Sequence, residues 1–576
     1  MKLRPIALLL AALAAGCSHF AREGPPPPST LEEAAAGPTA RIAQTANPYA
    51  TKAALDTLDR GGDPVDAVVA AQAMLGLVEP QMSGLGGGTF VLYWDAATRK
   101  LVSFDGLAAA PSHATASLRT ALDGSILPRD AVYHGGRSVG VPGTLPVLQM
   151  VHRKYGKLPW STLFQPAVEL AERGFPLPEY LHRILILDRI DPHAYPDLRM
   201  YFDAEGKPLP IGTIVRNPAY AETLRRVAAR GLAGMLGDGG AERIVAAAQH
   251  GPLPTLMTPA DLFAYRPVER EPVCAPFLAY RVCSVGPPSY GGIYLLQVLQ
   301  MTEARAGGRY DFDDPAFVHL FLEAGRLARA DRAAYVGDPD FVAVPTAGLV
   351  SSAYVRARAD SIDAARANPS PNAGVPPGLA ASRAPSEALA MGGTSQLTIA
   401  DAAGDVVAMT TTINLGFGSY LMVDGYVLND VLVNFSAAPR PGHPIANAMA
   451  PRKRPYTSVA PTIVFDAGGV PVAAGGSAGG GPIPDYVGQA WIEMLADGAT
   501  PAQAVAAGHV STFSREGKKM VLEKGTAAER LAPALRALGH EVEIAPLLSG
   551  AGYISRQGEG WTGAADPRRG GNAAGD

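Results

Sequence analysis

Three cysteines in 576 residues exclude a disulfide-dense secreted scaffold, and 11 scattered histidines with no H-E-x-x-H pattern supply no metal cluster. Charge is sparse as well. Only 18% of residues are Asp, Glu, Lys or Arg, and the net charge of −4 comes without a long Lys/Arg run. A chain with no basic footprint is not built to hold nucleic acid. No internal repeat of fixed period is present, which removes solenoids and repeat arrays.

What the chain has is apolar bulk. Hydrophobic residues make up 47% of it, which suits a globular protein with a large core, and its length exceeds one compact domain. The start, "MKLRPIALLLAALAAGCSHF", places Lys2 and Arg4 before an apolar stretch from Ile6 to Ala15. That stretch is too short to span a bilayer and reads as a signal segment over residues 1–17. Ala14-Ala15-Gly16-Cys17 resembles a bacterial lipobox, which implies an exported, periplasmic protein anchored to a membrane through lipidated Cys17. A plain secretory signal with an incidental Cys17 is the alternative. Residues 18–40 are Pro- and Ala-rich and read as a tether. Cys274 and Cys283 stand nine apart in "CAPFLAYRVC"; a hairpin disulfide and two buried thiols are both compatible with that spacing.

Periodicity predicts two helices in "KAALDTLDRGGDPVDAVVAAQAMLGLVEP", broken at Gly61-Gly62-Asp63-Pro64, then a hairpin from "SGLGGGTFVLYWD" and "KLVSFDG". Residues 145 to 345 read as mostly helical. Five prolines mark 366–390 as a mobile linker or surface loop. It leads into "MGGTSQLTIAD", where "TSQLTIAD" and "DVVAMTTTIN" read as paired strands. Strands in "GYVLND", "PTIVFD" and "PVAAGG" and a helix near 485–496 follow, and the glycine-rich tail "RRGGNAAGD" is expected to fray.

Three glycine-rich stretches invite chemistry. "SGLGGGTF" fails the dinucleotide pattern at its last glycine and precedes a strand rather than a helix. "GGSAG" matches G-x-S-x-G, with Ser477 as nucleophile and Asp485 or Asp497 and His509 or His540 in the right order behind it; Gly480, Gly481 and Pro482 weaken that elbow by separating Ser477 from its helix. In "MGGTS", cutting the Gly393–Thr394 bond would give Thr394 its own base, an α-amine of pKa about 7.7–8.0. Taken alone, two glycines before a strand are an ordinary turn.

The surroundings change that weighing. Ten motifs run in order from about residue 44 to 567, among them "GGDPVDAVVA", "PQMSGLGGGTF", "MTPADLFAYRPVEREPV", "LNDVLVNFSAAP", "PRKRPYTSVAPTIV" and "GAADPR". Together they resemble the γ-glutamyltransferases (glutathione hydrolases) of the N-terminal-nucleophile hydrolase superfamily. The resemblance implies an α+β fold, a four-layer αββα sandwich with a helix-rich large subunit. It implies self-cleavage at Gly393–Thr394 into a large subunit (41–393, with 366–393 as the linker before the cut) and a small catalytic subunit (394–576) that remain together as a heterodimer. No cofactor or metal is implied.

Carried over by position, Thr394 is the nucleophile and Thr412 its positioning partner. Gly479 and Gly480 form the oxyanion hole, Asn414 lines the acyl pocket, and Thr457 and Ser458 bind a substrate α-carboxylate. Two positions depart from the family. Leu107 stands where a carboxylate-binding arginine is expected, and Asn434 where an ammonium-binding aspartate is expected. A charge-assisted hydrogen bond contributes roughly 1.5–3 kcal/mol, so losing two lowers affinity for a zwitterionic glutamyl head by hundreds-fold. The expected substrate is a small-molecule amide, γ-glutamyl or related, with water or an amine as acceptor. An acylase of cephalosporin-acylase type, for acyl groups lacking the amino-acid head, is the alternative, and a non-catalytic binding relative is a third reading. The segment before "PRKRP" is shorter than in members with a lid loop, which implies an open pocket.

Overall fold

Side-chain alternation along two neighbouring strands sets the layers. In strand Val406–Asn414, Val407 and Met409 pack with helices, while Val406 and Ala408 pack with Ile463, Phe465 and Ala474 of a second sheet. Its partner Gly393–Ala400 alternates the same way, with Leu397 and Ile399 on the helix side and Ala400 between the sheets. The period of two therefore turns Thr394, Gln396, Thr410 and Thr412 toward the gap between the sheets.

The computed structural model describes residues 38–115, 118, 127, 129–249, 253–379, 383–386, 392–436, 442, 444–514 and 519–576. The predicted signal segment, Cys17 and most of the tether lie outside the described residues. The first sheet runs Asn572–Gly575, Ile42–Thr45, Gly393–Ala400, Val406–Asn414, Gly88–Asp95, Lys100–Gly106, Val268–Arg270. The second runs Gly560–Ala565, Gly552–Gln557, Pro471–Gly476, Thr462–Phe465, Tyr280–Ser284, Val273–Phe277. Every pairing within both is antiparallel. Helices including Pro48–Asp59, Pro64–Val78 and Thr144–Tyr155 cover the outer face of the first sheet, and Gly291–Arg305, Pro315–Tyr335 and Ile483–Ala496 cover that of the second. The result is the αββα sandwich that the resemblance implies. Between the sheets, Gly476 faces the Gln396 amide, so a Cβ there would lie 2.5 Å from Gln396 Oε1 and displace that side chain.

The predicted helix break is a cap. Asp63 accepts from the Asp66 N–H at 3.0 Å, Asp66 accepts from the Asp63 N–H at 3.1 Å, and Pro64 opens the second helix. Within the mostly helical middle, Val273–Phe277 and Tyr280–Ser284 form a hairpin in which Cys274 and Cys283 are cross-strand neighbours joined as a disulfide, one of the two arrangements their spacing allows. One expectation is corrected. The tail does not fray. Asn572–Gly575 pairs with Ile42–Thr45, because that strand's outer row of backbone groups needs partners. Among the described residues no helix is long and apolar enough to cross a membrane.

Candidate active site

Thr394 and Thr412 face each other across the hairpin, 4% and 5% exposed. Their hydroxyls are 3.2 Å apart, and both lie within hydrogen-bond distance of one atom, the Gly393 carbonyl oxygen. Thr412 Oγ1 accepts from the Asn414 N–H at 2.8 Å, which leaves its own proton to donate to Gly393 O at 2.6 Å. The pairing slips between Thr411 and Asn414, so the strand bulges beside the Gly393–Thr394 bond. Gly392 before it holds φ of +154°, where a Cβ would meet the Asn414 carbonyl oxygen at 2.2 Å.

Strain gathers just past the bulge. Asn414, Phe417 and Tyr420 all have left-handed backbones, with φ of 82°, 51° and 63°. Phe417 N–H donates to Gln81 O at 2.9 Å and Leu415 N–H to Asp430 Oδ1 at 3.0 Å, and these bonds hold the segment in place. Such outliers persist only where the surroundings over-determine them, and they cluster at functional sites.

The same segment starts a buried polar chain. Asn434 Nδ2 donates to Asn414 Oδ1 at 2.8 Å, and Asn414 Nδ2 donates to Asp430 Oδ1 at 3.1 Å. Burial pushes the Asp430 carboxyl up to about 7, against the hydrogen bonds from Leu415 and Asn414. Asp430 Oδ2 and Asn434 Oδ1 have no partner among the described residues. Asn434 is thereby joined to Asn414, as one candidate residue to another.

Ser458 Oγ donates to Gly480 O at 2.7 Å, which ties the Thr457–Ser458 pair to the glycine turn after strand Pro471–Gly476. Gly479 and Gly480 hold φ of +126° and +71°. Among the described residues neither of their N–H groups donates a hydrogen bond, so two adjacent backbone donors are left free. Leu107 is 1% exposed and packs between the sheets near Ala108, Val431 and Val459; its N–H donates to Asp105 Oδ1 at 2.9 Å. Asp105 is itself paired with Arg270 at 2.8 Å and Arg454 at 3.4 Å.

The Ser477 elbow comes apart. Ser477 Oγ donates to the Ala478 carbonyl, Asp485 accepts from Tyr294, Ser511 and Thr512, His509 bonds Ser549 at 2.7 Å, and His540 bonds His319 at 2.8 Å. G-x-S-x-G matches in sequence, but among the described residues no base is hydrogen-bonded to the hydroxyl.

Two residues that the motifs did not single out also reach the Thr394–Ser395 pair. Arg569 Nη1 donates to the Thr394 carbonyl at 3.0 Å, and its Nε donates to Leu548 O at 3.0 Å. Glu79, fully buried and pushed up to about 8 by desolvation, accepts from Ser395 Oγ at 2.9 Å. The "VEP" and "DPRR" runs that carry them offered no chemical pattern to read.

Beside this cluster lies a cavity of about 600 Å³, bordered by Gly392, Gly393 and Gly479 and walled largely by aromatic and apolar side chains.

The gamma-glutamyltranspeptidase family profile matches residues 50–576. The glutathione hydrolase proenzyme of Bacillus subtilis strain 168 is 32% identical over 585 residues, covering 99% of this chain and 97% of that protein. The acylase ACY 1 proenzyme of Pseudomonas sp. strain SE83 is 34% identical over 531 residues, covering 90% of each. Among solved structures, cephalosporin acylase from Bacillus halodurans superposes with a TM-score of 0.80 at 26% identity, over 94% of this chain and 96% of that one. With the profile spanning nearly the whole chain, the protein belongs to the gamma-glutamyltranspeptidase family of enzymes.

Proposed function

We propose that the chain is a self-processing threonine hydrolase that cuts its own Gly393–Thr394 bond and then cleaves small-molecule amides through an acyl-Thr394 intermediate. The single observation that carries this reading is the convergence of the Thr394 and Thr412 hydroxyls on the Gly393 carbonyl oxygen. In the first step Thr394 Oγ1 adds to the Gly393 carbonyl carbon. The charge that develops on the oxygen meets the Thr412 O–H, already aimed at it. The peptide nitrogen takes up a proton and leaves, an ester joins Gly393 to Thr394 Oγ1, and water hydrolyses that ester. The products are a Gly393 carboxylate and a Thr394 with free hydroxyl and free α-amine.

That amine, of ordinary pKa about 7.7–8.0, then serves as base for the adjacent hydroxyl. Attack on a substrate amide places an oxyanion where the free Gly479 and Gly480 N–H groups stand, and each such donor typically lowers the barrier by about 2.7–4 kcal/mol. The substrate nitrogen leaves as an amine, and water or a second amine releases the acyl group. In this reading residues 41–393 and 394–576 form the two subunits, Asn414 and Asn434 line the acyl side, and Thr457 and Ser458 hold an acyl-group carboxylate. The segment ending at Cys17 directs export, with a lipid anchor at that cysteine.

The substrate class is γ-glutamyl amides or close relatives. A second reading, an acylase for groups without an α-amino-acid head, is favoured by Leu107 and Asn434, which remove both charged anchors, and by the similarity to the Pseudomonas acylase proenzyme. Hydrolysis of a γ-glutamyl anilide is to be compared with its glutaryl and neutral acyl counterparts. Preference for the γ-glutamyl compound supports the first reading, and preference for either of the others supports the second.

A further inference from the structure

The cavity beside Gly393 lies away from the acyl side. Gly392, Gly393 and Gly479 border it, whereas Asn414, Asn434, Thr457 and Ser458 do not line it. If those four residues receive the acyl group, what remains for the cavity is the other half of the amide, the amine that leaves or the amine that accepts. This step rests on Thr394 being the nucleophile.

Its wall is built for a flat ring. His134 and Tyr420 stack in parallel, with centroids 3.7 Å apart and planes 9° from each other, and Tyr195 meets Tyr420 edge-on at 5.3 Å. The stack is held from below. His134 Nδ1–H donates to Gly418 O at 3.0 Å, since a carbonyl only accepts, and Gly135 N–H donates to Ser419 O at 2.9 Å. Burial lowers the His134 pKa, so the ring is neutral and stacks as an aromatic. Leu187 borders the cavity with 57% of its surface exposed, an uncovered apolar group at the mouth.

The charge lining the cavity is mainly negative. Asp188, at the end of helix Glu179–Asp188, has a buried Oδ2 with no partner among the described residues, and it lies so near Gly416 that a Cβ there would come within 2.3 Å of it. Glu543 adds a second carboxylate to the lining. The guanidinium of Arg569 also reaches the cavity and is, among the described residues, the one arginine or lysine in its lining, with Nε bonded to Leu548 O and Nη1 to Thr394 O. A buried carboxylate oxygen without a donor is costly unless a ligand supplies one.

We propose that this cavity is the leaving-group and acceptor subsite, and that it takes an aromatic primary amine, the ring on the His134–Tyr420 stack and the ammonium on Asp188.

The Thr394→Ala protein, which keeps the Gly393–Thr394 bond and hence the arrangement described above, allows binding to be read without turnover. Calorimetry is to be run with phenethylamine, with propylamine as the ring-free amine and with 3-phenylpropionate as the ring of opposite charge. Phenethylamine is expected to bind at least about tenfold tighter than either. Asp188→Asn should abolish the preference over phenylpropionate while keeping the preference over propylamine. Tyr420→Leu should do the converse, and His134→Leu replaces it if the left-handed Tyr420 position does not tolerate the change. In wild type, amides of one acyl group are then compared. The phenethylamide is expected to exceed the propylamide about tenfold in kcat/KM, with Tyr420→Leu lowering that ratio and Asp188→Asn leaving it unchanged.

Equal binding of the two amines, equal binding of amine and carboxylate, or an Asp188→Asn protein with unchanged binding preferences would each overturn the subsite. Failure of the underlying reading looks different: wild type would remain one chain on a denaturing gel, whatever the cavity binds.

Discussion

Thr412 Oγ1 donates to the Gly393 carbonyl oxygen at 2.6 Å, reaching across the hairpin to the residue just before Thr394. In the proposed self-cleavage this bond places a donor at the atom where charge develops when Thr394 attacks its own peptide link, so that step should not depend on the glycine turn at 479–480.

Thr394→Ala should leave one intact chain on a denaturing gel, while wild type runs as two fragments. Thr394→Ser keeps a hydroxyl at the same place and should still divide, more slowly. An undivided wild type, or a divided alanine variant, would sink the proposed cleavage site.

Removing the Thr412 donor should slow self-cleavage without stopping it. For Thr412→Val we expect the fragments to appear about 10²-fold more slowly, the effect of one oxyanion donor. Thr412→Ser should restore most of the rate. A valine variant that divides at the wild-type rate would remove Thr412 from the mechanism.

Gly479→Ala separates the two reactions. Its backbone sits at φ of +126°, and an added Cβ would meet Tyr486 Cε2 at 2.9 Å, so the N–H must shift. Self-cleavage should survive, because Thr412 serves that step, while kcat on an amide substrate falls by about 10²–10³-fold. Equal loss of both would show that one oxyanion site serves both steps.

Ser477→Ala should keep most amide-hydrolysing activity, since the Ser477 hydroxyl is spent on its neighbour's carbonyl and His509, the partner its motif offered, bonds Ser549 instead. Loss of turnover in a folded, divided Ser477→Ala protein would revive the serine elbow.

Glu79 predicts a stability change with pH. Its folded pKa of about 8 lies above the ordinary 4.5, so the folded chain holds a proton there that the unfolded chain has released. The stabilising contribution of the neutral form is full below the unfolded value and is lost as pH rises through about 8. Glu79→Gln, which can still accept from Ser395, should lose fewer degrees of Tm than wild type between about pH 6 and pH 9. Parallel Tm curves for the two proteins would show that Glu79 is ionised throughout.

Much of the site was legible because it is local. The alternation in "TSQLTIAD" and "DVVAMTTTIN" predicts the hairpin, and a period of two already puts Thr394 and Thr412 on one face of it. Glycine pairs marked two of the places where the backbone takes unusual angles, before Thr394 and after Ser477. Arg569 and Glu79 were not legible, because they act 175 and 316 residues away along the chain and neither sits in a chemical pattern. The frayed-tail expectation failed for the same reason. "NAAG" carries no strand signal of its own and becomes a strand because the edge at Ile42–Thr45 needs hydrogen-bond partners.

The sequence by itself determined the family, the order of the elements and the hydroxyl at the break between two glycines and a strand, since these follow from ordered motifs and short-range periodicity. Only the tertiary structure decided which oxygen the two hydroxyls share, that His509 belongs to Ser549 and not to Ser477, and that Asn434 is bound to Asn414. Hydrogen bonds between distant segments depend on how two sheets and their covering helices close on one another. That closure is set by the packing of the whole core, and no short window of sequence contains it.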